Sequence, residues 1–482
     1  MNSKYKTLFK NVGLLTLSNM ATKILTFLLV PLYTSVLTTE EYGIYDLVVT
    51  SVNLLVPILT LNIIDAVMRF AMRKDLPIEK VASIGIKFVL ASFPIVVVML
   101  FVINVFNFFP QIKDFVIFIF FYYLFGVLNQ YFVQLAKGCE KVTDMAIAGV
   151  LGTIITLAFN LVFLLGLNLG LKGFFLANIL SNAIVVVYYA VRLKVFRLIK
   201  IKTKDIALRK EMLAYCIPLI TVAVSWWINS SISKYAVSIM CGVAANGLLA
   251  VAYKIPNVMS MAQTIFTQAW QISAIKENES KDAKKFYSDT FTFMNMAMVF
   301  VCSTLILFTK LIAKLLFANE FYNAWEFAPF LVVASVLNAA AGYLGPILAA
   351  QNNSKSMAKS AIYGAVTNIV LSFVLVYFIG VQGATIATMT SSLVIYLVRH
   401  KELGFILKNK SHKCNIISWI LIILQSVVEI YTKWYIVQIA IILVMIIVYN
   451  KQIKSILEKT LSIVKKLRKI KEGKNFFFTQ NS

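Results

Sequence analysis

Long apolar runs separated by short polar connections cover this chain from about residue 12 to residue 450. A run of roughly 18–25 apolar residues, as an α-helix rising ~1.5 Å per residue, can cross the ~30 Å hydrocarbon layer of a membrane. Strands are disfavoured, because the runs show no sustained alternation and open sheet edges cannot be satisfied in lipid. The pattern predicts an all-α polytopic membrane protein with fourteen transmembrane helices, at approximately 12–37, 43–67, 83–106, 115–136, 145–167, 173–191, 212–237, 245–272, 288–309, 328–350, 359–379, 382–398, 414–431 and 434–450.

The distribution of lysine and arginine agrees with this helix count. If the N-terminus is cytoplasmic, the cytoplasmic segments hold 37 of the 46 Lys and Arg residues, whereas the outer connections hold 5. Cytoplasmic connections of membrane proteins carry such an excess, and a wrong helix count would scramble it. We therefore expect both termini in the cytoplasm. The first run lacks a small-residue cleavage pattern, so it is predicted to be a retained helix.

Composition narrows the class further. Hydrophobic residues occupy 60% of the 482 positions and charged residues 14%, which is more apolar side chain than a soluble core buries. The net charge of +25 reflects the cytoplasmic connections, and no soluble basic face is left for nucleic acid. The five cysteines are scattered singly, without metal or redox spacing. No cofactor or metal is expected, and coupling of transport to H⁺ or Na⁺ is left open.

The chain also repeats itself. The turn EEYGIYDL around Gly43 resembles AANGLLAV around Gly247. Four further positions recur, since Asn160, Gly173, Ala177 and Ser181 resemble Asn368, Gly383, Ala387 and Ser391. Two six-helix copies with the same orientation are related by an axis along the membrane normal. This predicts two pseudo-symmetric six-helix lobes and two extra C-terminal helices: an N-lobe (1–191), a basic cytoplasmic linker (192–211), a C-lobe (212–400), helices 13 and 14 (401–450) and a basic amphipathic cytoplasmic tail (451–482).

Several segments carry a family resemblance. They are PLYTSVLTTEEYGIYDL, IPLITVAVSWWINSS, NGLLAVAYKIP and TQAWQISAIK, together with the repeated Asn, Gly and Ala positions. In these segments the chain resembles the bacterial polysaccharide transporter or Wzx-type oligosaccharide flippase family, within the superfamily that includes lipid II flippases and multidrug and toxic-compound exporters. The resemblance covers nearly the whole chain but does not identify a substrate. One departure is Ser233, where many relatives carry an Asp before a basic and an aromatic residue.

The resemblance implies a flippase, not an enzyme, in the bacterial cytoplasmic (inner) membrane. Its cargo would be a polyprenyl-diphosphate-linked oligosaccharide repeat unit, moved by alternating access for surface polysaccharide biosynthesis, such as capsule or O-antigen. Membrane lipids and polysaccharide polymerase machinery would be its partners. A lipid II flippase and a drug or toxin exporter are the alternatives within the superfamily. A polymerase or ligase is disfavoured because the longest outer connection, 310–327, holds no histidine.

Two lysines deep inside predicted helices are the first candidates for binding the anionic diphosphate. A charge at mid-membrane costs several kcal/mol unless it faces a wet cavity or a partner. Lys23 lies about twelve residues (~18 Å) into the first helix, and Lys254 lies about ten residues into the eighth, which is deep for snorkelling. A structural ion pair across the bundle is the alternative for each of them.

The remaining charged candidates lie nearer the helix ends. Lys234 is a further candidate for substrate binding, with snorkelling as the alternative. Asp65 and Arg69 are four residues apart, a spacing that allows a local ion pair, and Arg69 is also a candidate for contacting substrate from the cytoplasmic side. Asp46 and Asp65 are candidate ion-coupling groups, although Asp46 has interfacial solvation as its alternative.

Two tryptophans complete the candidate site. Trp227 and Trp270 lie in the segments that carry the resemblance, and indole rings stack on sugar faces. Tryptophans near helix ends more often anchor a helix at the membrane interface. Both are candidates for stacking on a sugar, with helix anchoring or packing as the alternative.

Overall fold

A computed structural model describes residues 20–458 except 21, 108, 201–204, 278–281, 352, 404–409, 433 and 455–457. Over these residues the backbone forms helices and short turns, without a strand. The helices are α1 (Thr22–Val36), α2 (Thr39–Leu59), α3 (Ile63–Ala71), α4 (Ile78–Val105), α5 (Val116–Gly138), α6 (Val142–Asn160), α7 (Gly170–Arg192), α8 (Val195–Leu198), α9 (Ile206–Cys241), α10 (Val243–Ala252), α11 (Lys254–Glu277), α12 (Ala283–Leu307), α13 (Thr309–Leu316), α14 (Ala328–Ala350), α15 (Ser354–Ile379), α16 (Val381–Leu403), α17 (Lys410–Tyr431) and α18 (Tyr435–Val448).

Each of the fourteen predicted spans coincides with one helix or with two helices joined by a turn. Among the described residues, eleven helices are long and apolar enough to cross a membrane, and three shorter apolar helices, α1, α10 and α18, lie on the remaining spans. The prediction of an all-α polytopic membrane protein is confirmed. The predicted start of the first helix (12–19) and most of the predicted amphipathic tail (451–482) lie outside the described residues.

The second predicted helix begins earlier than its apolar run. Thr38 and Glu41 form a capping box, in which the Glu41 backbone N–H donates to Thr38 Oγ1 at 3.1 Å and the Thr38 backbone N–H donates to Glu41 Oε2 at 2.9 Å. This arrangement satisfies two backbone donors that a helix start would leave unpaired. The helix therefore begins at Thr39.

The prediction of one continuous helix over 43–67 is wrong. The chain leaves the helix after Leu59, passes through Leu61 and Asn62 at φ of 50° and 52°, and resumes as α3. Pro57 removes one backbone donor just before the break and is bulky against the preceding turn. Helix 2 is therefore two helices, and polar backbone and side-chain groups are concentrated where they meet.

The predicted span 245–272 is also two helices, which meet at Tyr253. Pro256 has no backbone N–H to donate to the carbonyl of Ala252, and its ring crowds that carbonyl. The helix is therefore interrupted one turn before the proline. Lys254 is the first residue of the second part, α11.

The two halves of the chain meet at the repeated glycines. The prediction of a turn around each glycine is wrong, since Gly43 lies inside α2 and Gly247 lies inside α10. A Cβ on Gly43 would lie 2.1 Å from the carbonyl oxygen of Val243, and a Cβ on Gly247 would lie 1.9 Å from the carbonyl oxygen of Thr39. Thr39 and Val243 each precede their own glycine by four positions, so the contact is reciprocal, as a twofold relation requires. Only glycine permits this approach of α2 to α10.

A second matched pair of contacts lies inside the two halves. Ser181 Oγ donates to the Gly152 carbonyl at 2.7 Å, and Ser391 Oγ donates to the Gly364 carbonyl at 2.9 Å. Each half thus joins its fifth and sixth membrane helix with the same serine-to-glycine hydrogen bond. These contacts support the predicted pseudo-symmetry, while the exact boundaries of lobes, linker and tail stay a prediction.

The two C-terminal helices pack on the second half. Polar pairs at three levels join α17 to α12 and α13: Asn295 Nδ2 with Asn415 Oδ1 (3.1 Å), Ser303 Oγ with Gln425 Oε1 (2.6 Å) and Lys310 Nζ with Glu429 Oε1 (3.3 Å). Hydrogen bonds between membrane helices hold a pair of helices in register. We therefore expect α17 and α18 to move together with α12.

Candidate functional site

Charged groups are paired where the two halves cross. Lys234 Nζ lies 2.8 Å from Asp46 Oδ1, and the two side chains are only 15% and 17% exposed. The Asn246 amide donates to the Gly43 carbonyl at 3.3 Å and to Asp46 Oδ2 at 3.4 Å. We call these four residues and Gly247 the inter-lobe crossing. Each charge there has an opposite charge beside it, so the crossing is a packed contact.

A cavity of about 550 Å³ opens between α1 and α11. It is lined by Lys23 and Lys254, the two lysines that depth alone singled out in the sequence. The other described lining residues are Thr22, Ile24, Thr26, Phe27, Asn257, Val258, Ser260 and Met261. We call this space the lysine cavity. The fold thus brings one candidate from each half of the chain to a single site.

The lysine cavity is cationic. Its ten described lining residues include two lysines and no carboxylate, and the remaining polar groups are hydroxyls and one amide. Lys23 is exposed, and Lys254 is half-buried with its Nζ 5.9 Å from the centroid of the Tyr42 ring. An anion that enters would meet two ammonium groups together with the side-chain amide of Asn257.

The lysine cavity lies to one side of the inter-lobe crossing. α10 begins at the crossing, and α11 continues from it, so Lys254 is about seven residues, roughly 10 Å of helix, beyond Gly247. The charge distribution of the sequence predicts that this direction leads towards the cytoplasm. The cavity therefore lies between the closed crossing and the predicted cytoplasmic end of the bundle.

The ion pair predicted between Asp65 and Arg69 is wrong. Asp65 Oδ2 accepts from Asn62 Nδ2 at 3.1 Å, and Oδ1 accepts from Gln134 Nε2 at 3.3 Å. The Arg69 guanidinium instead lies over the Tyr215 ring, 4.2 Å from its centroid. The helix break supplies Asp65 with a local amide donor, and a cation–π contact with α9 holds Arg69. Neither residue is among the described lining of the lysine cavity.

The two candidate tryptophans both serve in helix packing. Trp270 is 3% exposed, donates from Nε1 to the Tyr343 carbonyl at 2.9 Å and stacks on the Tyr343 ring with centroids 4.2 Å apart. Since this ring has no open face, the structure corrects the prediction that Trp270 stacks on a sugar. Trp227 is half-buried and donates from Nε1 to the Thr50 carbonyl at 2.7 Å, which joins α9 to α2.

A second contact joins α9 to the first half near the linker. Arg73 Nη1 lies 2.5 Å from Glu211 Oε1, and Lys80 Nζ lies 3.0 Å from Asp205 Oδ2. The Leu208 backbone N–H and the Lys80 ammonium group lower the pKa of Asp205 below its usual value of 3.8. The ion pairs are largely exposed, and exposed ion pairs contribute little to stability. This contact can therefore break more easily than the inter-lobe crossing.

Comparison with known protein families shows which family the chain belongs to. The model of a family described as polysaccharide biosynthesis protein matches residues 8–271, more than half of the chain. The chain belongs to this family. The match includes both glycines of the inter-lobe crossing and both lysines of the lysine cavity. The resemblance seen in the sequence is thereby confirmed at the level of the family. No curated protein matches the chain.

Solved structures show that the chain has a transporter fold. It is similar to lipid II flippase MurJ in an inward closed conformation, with a TM-score of 0.68, 12% identity and coverage of 92% of this chain and 99% of that one. It is also similar to an inward-facing multidrug resistance MATE family transporter of the MOP superfamily, with a TM-score of 0.64, 18% identity and coverage of 82% and 96%. A MOP superfamily transporter from Pyrococcus furiosus matches with a TM-score of 0.52, 16% identity and coverage of 83% and 94%. At these identities the likeness shows the fold alone.

The sequence analysis missed some residues of the inter-lobe crossing and of the cavity wall. Asn246 is fully buried at the inter-lobe crossing, and its signal was an amide inside an apolar run next to a repeated glycine. Asn257 and Met261 follow Lys254 by three and seven positions, the spacing of one helix face. Helical spacing from a buried lysine would therefore have found part of the cavity wall. The cavity itself has no such signal, because its other wall is α1.

Proposed function

We propose that this protein is a flippase that moves a polyprenyl-diphosphate-linked oligosaccharide repeat unit across the bacterial cytoplasmic membrane for surface polysaccharide biosynthesis. The observation that carries the proposal is the lysine cavity, where lysines from α1 and α11 line one space. Membership of a polysaccharide biosynthesis family and the transporter fold support it. Polysaccharide polymerase machinery would receive the cargo at the outer face.

The chemistry of the lysine cavity suits a diphosphate. A diphosphate has two linked anionic groups, and hydrogen bonds to charged groups contribute about 1.5–3 kcal/mol each. Lys23 and Lys254 would each hold one phosphate, and the side-chain amide of Asn257 would donate to a remaining oxygen. The hydroxyls of Thr26 and Ser260 donate to backbone carbonyls of their own helices in this structure. The apolar wall, which includes Phe27, would accommodate the first units of the polyprenyl chain. A space of about 550 Å³ holds this head region, so a bulky glycan requires the halves to move apart.

Transport by this route requires the inter-lobe crossing to open. In the structure Gly43 and Gly247 are in backbone contact, and Asp46 holds Lys234. In our proposal the two halves rock by alternating access, the crossing separates, and the cavity opens to the outer face. Separation would release Lys234 for contact with the diphosphate and Asp46 for uptake of H⁺ or Na⁺. We assign Arg69, held on Tyr215 at the end of α3, to the capture of cargo from the cytoplasmic side.

Mass spectrometry of polyprenyl-linked glycans tests the proposal. A deletion strain would be compared with strains complemented by the wild-type protein, by the Lys23→Ala and Lys254→Ala double variant, or by Lys172→Ala, all at equal expression. Lys172 is an exposed lysine on α7 and serves as the matched control. We expect a completed lipid-linked repeat unit to accumulate, and one surface polymer to be lost, in the deletion strain and in the double variant only.

Two other outcomes would contradict the proposal. An unchanged lipid-linked pool with altered sensitivity to cationic drugs would identify a drug exporter. Accumulation of lipid II, with no other lipid-linked glycan affected, would identify a lipid II flippase. Normal pools in the double variant, with a defect in the deletion strain, would reject only the assignment of the two lysines.

A further inference from the structure

A second cavity, of about 340 Å³, lies at the break between α2 and α3. Its described lining comes from α2, α3, α5 and α9: Val56, Pro57, Asn62, Ile64, Asp65, Asn129, Gln130, Val133, Gln134 and Ala223. We call it the Asp65 cavity. In contrast to the lysine cavity, its described lining holds one carboxylate and no lysine or arginine. A carboxylate inside a helix bundle is stabilised by a positive group or by a water-filled cavity, and Asp65 is half-buried beside a cavity that either water or a cation can enter.

Among the described residues, the ion pairs provide no such positive group for Asp65. Its two oxygens accept hydrogen bonds from neutral amides, Gln134 at 3.3 Å and Asn62 at 3.1 Å. The nearest arginine on the same helix, Arg69, lies over the Tyr215 ring of α9. The carboxylate is therefore positioned by amides, and its charge is not balanced by a described basic side chain.

Two amide oxygens of the same lining have no hydrogen-bond partner although they are buried. They are Gln134 Oε1 and Asn129 Oδ1. The nitrogen of each amide is already engaged: Gln134 Nε2 donates to Asp65, and Asn129 Nδ2 donates to Asn182 Oδ1 at 2.8 Å. Asn182 is itself held, because its amide donates to the Asn178 carbonyl at 2.8 Å. The hydrogen bonds thus orient both amides so that their oxygens remain as acceptors, and a buried acceptor without a partner costs about 1–3 kcal/mol.

The donor set defines the class of ligand. It contains oxygen only, which hard cations prefer, and its single carboxylate balances one positive charge. Zinc and similar metals require several His, Cys or carboxylate ligands, and the described residues include no group of three such side chains. We propose that the Asp65 cavity binds a monovalent alkali cation through oxygens of Asp65, Gln134 and Asn129.

A bound cation would link α3 to α5 beside the helix break. Asp65 and Asn62 belong to the break, whereas Gln134 and Asn129 belong to α5. Binding would satisfy the two unpartnered oxygens and balance the carboxylate, so it would stabilise the folded state relative to the unfolded state. The cation site does not depend on the proposed cargo, because the protein itself supplies every oxygen that would coordinate the cation.

Thermal unfolding of the purified full-length protein in detergent tests the site. The midpoint would be measured against NaCl and, separately, KCl, with choline chloride added to keep ionic strength constant. We expect the midpoint to rise with at least one alkali cation relative to choline. Asp65→Asn should abolish this rise, whereas Asp114→Asn, which changes an exposed acid before α5, should retain it.

A second variant separates the loss of a ligand from the loss of charge. Asn129→Leu removes one amide oxygen and leaves Asp65 in place, so we expect the apparent cation affinity to fall at least about tenfold. An equal midpoint in alkali and choline salts for the wild-type protein would overturn the proposal. So would an unchanged cation-dependent rise in both Asp65→Asn and Asn129→Leu. Neither result would bear on transport of a lipid-linked glycan.

Discussion

The inter-lobe crossing and the lysine cavity lie on neighbouring parts of the same helices, yet they differ in packing and in charge. At the crossing, glycine backbones touch, and Asp46 and Lys234 neutralise each other at 2.8 Å. At the cavity, Lys23 and Lys254 line about 550 Å³ of space whose described lining holds no carboxylate, and the charge of Asp46 acts on Lys254 from outside that lining. A lysine inside a membrane helix is therefore not by itself a binding residue. The group that lies opposite determines whether a lysine forms an ion pair, as Lys234 does, or lines a cavity, where we propose that it binds an anion.

The largest effect, on the rate of transport, is expected from removing both lysine charges of the cavity. Lys23→Ala with Lys254→Ala should lower transport at least about 100-fold at wild-type expression, because each hydrogen bond to a charged group is worth about 1.5–3 kcal/mol. Restoring charge with arginine at both positions should recover part of the transport. The measurement is the rate at which labelled lipid-linked repeat unit reaches the outer surface, with Lys172→Ala as the control.

Transport by the double alanine variant at the wild-type rate would break the distinction between cavity and crossing. The lysines of the cavity would then have no more functional importance than the paired Lys234. Loss of transport with loss of folded protein would be recognised by size-exclusion chromatography, and the arginine variants would then provide the test.

Filling the crossing is expected to have the next largest effect. Gly247→Ala places a Cβ where the Thr39 carbonyl oxygen would be 1.9 Å away, and a backbone atom cannot move aside as a side chain can. We expect a loss of about 1–3 kcal/mol in unfolding free energy, the usual cost of overpacking. Gly126→Ala, on α5, meets nothing within 4 Å and should change stability by less than about 1 kcal/mol. Denaturant unfolding of the two variants measures the difference, and equal values would show that the crossing is loose.

The ion pair of the crossing should give a smaller effect. A double-mutant cycle with Asp46→Ala and Lys234→Ala is expected to show a coupling of about 1 kcal/mol, because the two groups are in contact and mostly buried. The charge swap Asp46→Lys with Lys234→Asp should recover stability lost in either single reversal. Additive alanine effects would mean that the pair does not hold the halves together.

The smallest effect is expected at the contact near the linker. Because the folded protein lowers the pKa of Asp205 below 3.8, its contribution to stability is present above that pH and is lost as pH falls through the lower folded value. Asp205→Asn should therefore lower the unfolding midpoint slightly at pH 7, and the difference from wild type should vanish in strong acid. A difference that grows as the pH falls would reverse the assigned direction of the shift.

The class, the helix count and the repeat could be predicted from the sequence. Apolar length and the sidedness of Lys and Arg determine how many helices cross the membrane, since both follow from transfer of side chains into lipid. Depth within an apolar run also singled out Lys23 and Lys254, which both line the lysine cavity. The reciprocal contact of Gly43 and Gly247 explains why the glycine repeats in both halves, because neither position accepts a Cβ.

Contacts between distant helices could not be predicted in the same way. The spacing of Asp65 and Arg69 allows an ion pair. In the structure Asp65 accepts a hydrogen bond from Gln134, and Arg69 contacts the Tyr215 ring, so each has a partner on another helix. Trp270 lies in a segment that carries the family resemblance, yet Tyr343 covers its ring. Spacing along one helix shows which residues share a face of that helix. It does not show which other helix packs against that face.

The sequence by itself determined a chain of membrane helices in two related halves, and it predicts a basic cytoplasmic side, because hydrophobic length and charge act on each segment separately. Only the tertiary structure decided which charges are paired. Asp46 meets Lys234 because α2 crosses α9 and α10 at a glycine contact, whereas Lys23 meets Lys254 across a cavity. The energy of a buried charge depends on the few ångströms around it, and those neighbours come from helices far apart in the chain.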